Sequence, residues 1–325
     1  MLWRAVLISF AFAACAQAQN APSPLTLARS IALADVSGRI DHLAIDPDHR
    51  RLAVAELENH SVDIVDIASG QVLHRIGNLG EPQGVAFDQS GAHLLVAERS
   101  GGSLRLFNAQ SFEPEATIQL GADADNVRID PRNGHAVVGY GDGALAIVDV
   151  DARSVLRRVA LPAHPESFQI DTRTGRAFVN LPDRRTIGVV DLDAGALVAT
   201  WRLPLLLWNY PLAFDPAGSR LAVAFRGPAR LVLFSLDGAV LSSQATCADS
   251  DDLFFDQRRR RLYVACGSGA VDTFDVSAAP RALERTPTSP GARTALFVPE
   301  LDRLFVAARA ERGAQASILV LRPNL

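Results

Sequence analysis

The chain has 325 residues, of which 48% are apolar and 21% charged, and its formal net charge is −4. That balance belongs to a folded globular chain, and the negative charge argues against binding nucleic acid by broad phosphate neutralisation. All the basic side chains other than histidine are arginine. With no lysine, Schiff-base and pyridoxal-phosphate chemistry is excluded. There is no C-x-x-C-H for a c-type haem, no G-x-x-x-x-G-K-[ST] nucleotide loop and no H-E-x-x-H.

In chain order, the first element is a targeting segment. Residues 1–18 combine an early Arg4, an apolar run from Ala5 to Ala14, and Ala16-Gln17-Ala18. This is the pattern of a secretory signal peptide, with cleavage expected after Ala18 and residues 19–325 forming one domain. A lipid anchor at Cys15 is the alternative. Either way the expected destination is outside the cytoplasm, in the periplasm. No later segment is long and apolar enough for a membrane helix.

From Leu43 onward the chain repeats. Taking Asp46 as anchor, equivalents fall at Asp88, Asp130, Asp171, Asp215, Asp256 and Val298, spaced by 42, 42, 41, 44, 41 and 42 residues. Five residues past each anchor stands Arg51, His93, His135, Arg176, Arg220, Arg261 or Arg303. Eight past it stands a valine in all seven copies, from Val54 to Val306. Each copy reads as short β-rich runs separated by turn residues, four strands per copy of about 40 residues, which is a propeller blade. The seventh copy ends at its third strand, Ile318–Leu321. Leu25–Leu33 resembles the fourth strands elsewhere and is expected to complete it. The fold class is therefore all-β: a seven-bladed β-propeller of four antiparallel strands per blade, closed by the N-terminal strand pairing into the last blade.

The period and the Val-Ala step after the second strand resemble the YVTN-repeat propellers, in particular the YncE-like periplasmic proteins. The strings Asp41-His42-Leu43, Glu81-Pro82-Gln83-Gly84, Asp123-Ala124-Asp125-Asn126, His164-Pro165-Glu166-Ser167 and Pro290-Gly291-Ala292-Arg293-Thr294 carry the likeness, which covers almost all of the mature chain. The resemblance implies the fold and leaves activity open.

The first strand of a blade lines the central channel. Five residues before each anchor stand Asp41, Gln83, Asp125, Glu166, Tyr210, Asp251 and Arg293, all polar. Four before stand His42, Gly84, Asn126, Ser167, Pro211, Asp252 and Thr294. Packing explains the identical valines. It does not explain a column that differs from blade to blade, and such a column can form one asymmetric site. If the site is catalytic, it is expected to be that of a metal-assisted lyase or hydrolase in which Glu166 and Asp251 hold a divalent ion and His42 is the general base. His164, just before the mouth, is a candidate supporting residue.

The acidic ring suggests calcium or magnesium, with Asn126, Glu166, Asn209 and Asp251 as hard oxygen ligands. Regucalcin and gluconolactonase propellers are similar in placing a Glu, Asn and Asp set on the axis, although their blade count and motifs differ. Trp208 and Tyr210 follow an apolar loop and are candidate ligand contacts. Loops after the second strands, with Glu56, Glu98, Tyr140, Asp142, Arg226 and Cys266, are expected on the same face. Cys247 and Cys266 can pair in an oxidising compartment. Arg258–Arg261 reads as a solvated turn on the opposite face. The expected function is that of a monomeric binding protein taking a small ligand, a divalent cation or a partner protein at the mouth. Nucleic acid is not an expected partner. A pure scaffold is a further alternative.

Overall fold

The computed structural model describes residues 23–325 except His49, Pro204 and Arg312. The leader at 1–18, with Cys15, lies outside the described residues. Seven four-stranded antiparallel sheets follow one another around a ring. Blade one is Leu43–Ile45, Arg51–Glu56, Ser61–Asp66 and Val72–Ile76, counted from the axis outward. The next five repeat this order. Blade seven takes Ala295–Val298, Arg303–Ala308 and Ser317–Pro323 from the C-terminal end and its outer strand, Leu25–Ala32, from the N-terminal end. The two terminal strands pair from Leu25 with Pro323 to Ala32 with Ser317. Seven blades and the terminal seam are as the repeat predicts.

The repeated residues have separate tasks. The seven valines are fully buried, each at 0% exposure, in the layers between blades. The anchor aspartates cap their own hairpins. Asp46 accepts the Arg50 and Arg51 amides and Arg51 Nε, and Asp88 accepts the His93 amide and faces His93 Nδ1. The basic residue five positions on also reaches a neighbouring blade: Arg51 donates to the Ala109 carbonyl and Arg220 to that of Val276.

The arginine run departs from the solvated reading. The side chain of Arg259 is 6% exposed and forms a two-pronged pair with Asp302 at 2.6 and 2.7 Å, besides its bond to Asp256. Arg261 donates to the Asn324 carbonyl. Both stitch blade six to blade seven, a role that becomes visible only when the ring brings Asp302 alongside.

Cys247 and Cys266 form a disulfide, with Cα atoms 5.9 Å apart, tying the entrance of blade six to the end of its second strand. Closing a loop of this size restrains the unfolded chain by about 3 kcal/mol. We expect the double variant C247A/C266A to lose about that much stability in urea unfolding of the oxidised protein. An unchanged midpoint would mean that the bond adds nothing to the fold.

Candidate functional site

The inner strands share an irregularity where they enter the ring. Asp125 and Asn126 together oppose Gly139, Tyr210 and Pro211 oppose Ala224, and Asp251 and Asp252 oppose Ala265. In blade one Ala55 takes both the Asp41 amide and the His42 carbonyl, and in blade four Asn180 does the same for Glu166 and Ser167. Each is a bulge, two residues against one. A bulge turns consecutive side chains to the same side, so both mouth columns face the axis.

The result is a closed, ion-rich cavity of about 30 Å³ lined by residues including Asp41, His42, Asp125, Asn126, Glu166 and Asp252. That is room for one or two water molecules or an ion. Six carboxylates (Asp41, Asp125, Glu166, Asp249, Asp251 and Asp252) meet four guanidiniums (Arg39, Arg128, Arg226 and Arg293). The imidazoles of His42 and His164 join them, so the mouth is a mixed network of opposite charges.

The charges are divided unevenly. On the side of blades five to seven and one all but Asp252 are paired, and Asp252 Oδ2 accepts the Ala295 amide instead. Arg39 holds Asp41 at 2.8 Å, and Arg226 and Arg293 both bridge Asp249 and Asp251. The Arg226 guanidinium also lies 4.1 Å over the Tyr210 ring. On the side of blades three and four they are not. Among the described residues neither Asp125 nor Glu166 has an arginine within ion-pair distance, and His164 Nε2 stands 3.7 Å from Asp125 Oδ2. His164 Nδ1 faces the Gly141 carbonyl at 2.6 Å, an acceptor, so it carries the proton and Nε2 is left toward the carboxylates. Asp125 Oδ1 and Asn126 Oδ1 are buried without a hydrogen-bond partner.

These environments shift the titrations. Burial, followed by the charges of Asp125 and Asp251, pushes Glu166 up to about 8, and burial pushes Asp252 up to about 7. For His42 burial acts downward, but contact with Asp41 and the charges of Asp125 and Asp252 outweigh it and raise it to about 9. His164 likewise rises to about 9, against the effect of burial, through Asp125 and the Gly141 carbonyl.

Not every expected residue reaches this cavity. Asn209 is fully buried with its Nδ2 donating to Asn180 Oδ1 and the Thr186 carbonyl, both at 3.0 Å, so it joins blade five to blade four instead of facing the axis. Gln83 points to Asp123 and the Ala124 carbonyl between blades two and three. Asp251 lines the cavity but is held by two arginines, and Arg293 is one of them. The expected calcium set of Asn126, Glu166, Asn209 and Asp251 is therefore not assembled. Tyr210 lines the mouth, whereas Trp208 is half-exposed and outside this cavity. Glu56 and Glu98 are engaged by Ser61 and Ser103.

A third column joins the site. Seven residues before the anchors stand Arg39, Glu81, Asp123, His164, Trp208, Asp249 and Gly291. Five of them, from Glu81 to Gly291, have left-handed backbone with φ between 40 and 77°. Such a turn brings its side chain back over the strand entrance. Arg39, His164 and Asp249 all act at the mouth from this column.

Fold and site together define a seven-bladed β-propeller with a charged axial socket. No protein-family model and no curated protein matches the chain. Among many solved structures that match, it is similar to a chain of Kuenenia stuttgartiensis hydrazine synthase, with a TM-score of 0.75 and 18% sequence identity, covering 84% of this chain and 93% of that one. At that identity the likeness shows the propeller fold alone.

The four raised titrations make a prediction. The folded protein holds protons that the unfolded chain releases: at Glu166 and Asp252 from the usual carboxylate range up to about 8 and 7, and at His42 and His164 from about 6.5 up to about 9. The imidazole contribution is fully present below about pH 6.5 and lost by about 9, and the buried carboxylates oppose folding once they must ionise. Stability should fall as pH rises from about 5 to 9. E166Q should flatten the part below about pH 8. Urea-unfolding free energies across this range check it, and an equally steep E166Q curve would rule out Glu166 as a contributor.

Proposed function

We propose that this chain is a secreted, YVTN-like binding propeller of the YncE-like kind that recognises a compact cation at its axial mouth: a metal ion, or the ammonium tip of a ligand or partner. The repeat period, the valine column and the leader pattern support the family and the export. Mature protein beginning at Gln19 in a periplasmic fraction would agree with both. The observation that carries the binding reading is the unpaired half of the mouth. Among the described residues Asp125 and Glu166 share a small cavity with no arginine within ion-pair distance, while Asp41, Asp249 and Asp251 each have one.

Binding is favoured over lyase or hydrolase chemistry by the protonation of the mouth. His42 lies against Asp41 with its pKa near 9, so at neutral pH it is an imidazolium and not a free base.

A ligand bound only by the folded state raises its stability by mass action. At matched ionic strength, methylammonium, calcium, magnesium and zinc salts should be compared with tetraethylammonium, whose bulk exceeds the cavity. At least one compact cation should raise the thermal midpoint saturably, tetraethylammonium should not, and the double variant D125N/E166Q should abolish the shift. If no compact cation acts, or if the bulky one acts equally, the mouth is not a cation site.

A further inference from the structure

We propose that the compact cation is a divalent transition metal of the zinc class, held by Asp125, His164 and Glu166 with Asn126 beside them. This deepens the reading of the mouth as a cation site and rests on it.

The donor set comes first. One ligand atom each from Asp125, His164 and Glu166 lies within 4.8 Å of the others. The His164 Nε2 to Asp125 Oδ2 separation is 3.7 Å, close to the roughly 3.4 Å between two ligands on a tetrahedral ion with bonds near 2.1 Å. A small torsional adjustment of the two carboxylates draws the set together. The imidazole is already oriented for the task. Its Nδ1–H donates to the Gly141 carbonyl, which fixes the tautomer that presents Nε2, the arrangement a ligating histidine usually has. Gly141 sits in a left-handed turn, with φ of 62°, that brings this carbonyl up to the ring.

An independent observation points to a guest. Asn126 is 2% exposed and lines the same cavity, and its Oδ1 has no hydrogen-bond partner. Asp125 Oδ1, on a side chain 10% exposed, has none either. A buried acceptor without a donor costs about 1–3 kcal/mol. An ion, or a water bound to it, would satisfy both oxygens.

The class of metal follows from the donors and the space. Calcium takes six to eight oxygens and magnesium keeps an octahedral shell with several waters. Here two of the oxygen donors that such a shell would draw on are committed elsewhere, Asn209 to blade four and Asp251 to Arg226 and Arg293. What is left on the side of blades three and four is one imidazole, two carboxylates, an amide oxygen and room for one or two waters, a low-coordinate mixed nitrogen and oxygen set of the kind that suits zinc.

The test uses the untagged mature protein with its disulfide intact. Calorimetric titration with zinc chloride should give one ion per chain, calcium chloride should not compete, and cobalt(II) should develop the visible absorption of a low-coordinate nitrogen and oxygen site. H164A should weaken zinc by about 100-fold or more. D125N is a second variant at an independent blade, should H164A fail to fold. H135A, on the opposite face, should bind as the parent does. Zinc binding unchanged in H164A and D125N, or calcium bound as tightly as zinc, would overturn the assignment. A methylammonium shift lost in D125N/E166Q, with no zinc binding, would overturn the metal alone and leave the cation reading standing. The absence of both would remove the two together.

Discussion

The whole arrangement depends on closure of the ring. The seam between Leu25–Ala32 and Ser317–Pro323 supplies blade seven with its outer strand and leaves neither terminal strand as an unpaired edge. Only a closed ring makes neighbours of Asp41, Asp125 and Glu166, which lie 84 and 41 residues apart in sequence. Packing between blades allows little variation in this layer. Seven valines at 0% exposure meet the same demand seven times, and in blades one, two and five the anchor aspartate and its basic partner fasten the hairpin from below.

The entrances are released from that demand by the bulge. Two residues against one break the strict alternation of the strand and turn a consecutive pair toward the axis. The layer just outside the bulge stays uniform and buried: Ile40, Pro82, Ala124, Pro165, Asn209, Ser250 and Ala292. In the layer above it five of the seven residues have left-handed backbone, and Arg39, His164 and Asp249 reach the mouth from it. Each blade therefore offers two or three side chains whose identity the fold does not dictate. Seven nearly identical units can in this way build a site with no sevenfold symmetry.

This layering also explains what was legible in the sequence. The period, the valines and the terminal seam specify the fold because each is a packing requirement repeated in every blade. The two mouth columns were legible because they fail to repeat. Asn209 was misread although its column holds small or apolar residues in nearly all the other blades, a sign that the position faces inward between sheets. The column of Arg39, His164 and Asp249 was accessible to the same arithmetic, but it lies in turns before the strands, where alternation gives no guide to direction. The pairing of Asp251 with Arg293 was legible as opposite charges in one mouth column, whereas that with Arg226 was not. It joins blade five to blade six, and nothing in the local sequence of either announces it.

The contrast within the mouth is the strongest argument that it is more than a sealed axle. Asp41 at blade one and Asp249 and Asp251 at blade six each take an arginine from an adjoining turn or blade, and their charge is neutralised locally. Burying an ion without such a partner costs several kcal/mol. Blades three and four present Asp125 and Glu166 to the same cavity without that provision. Arg128, deeper in the channel, donates to the Val127 carbonyl and pairs with neither. A mouth shaped for stability alone would treat all its carboxylates alike. Burial holds a proton on Glu166 up to about pH 8, and a cation that displaced it would meet Asp125, an oriented imidazole and an unbonded amide oxygen in one place.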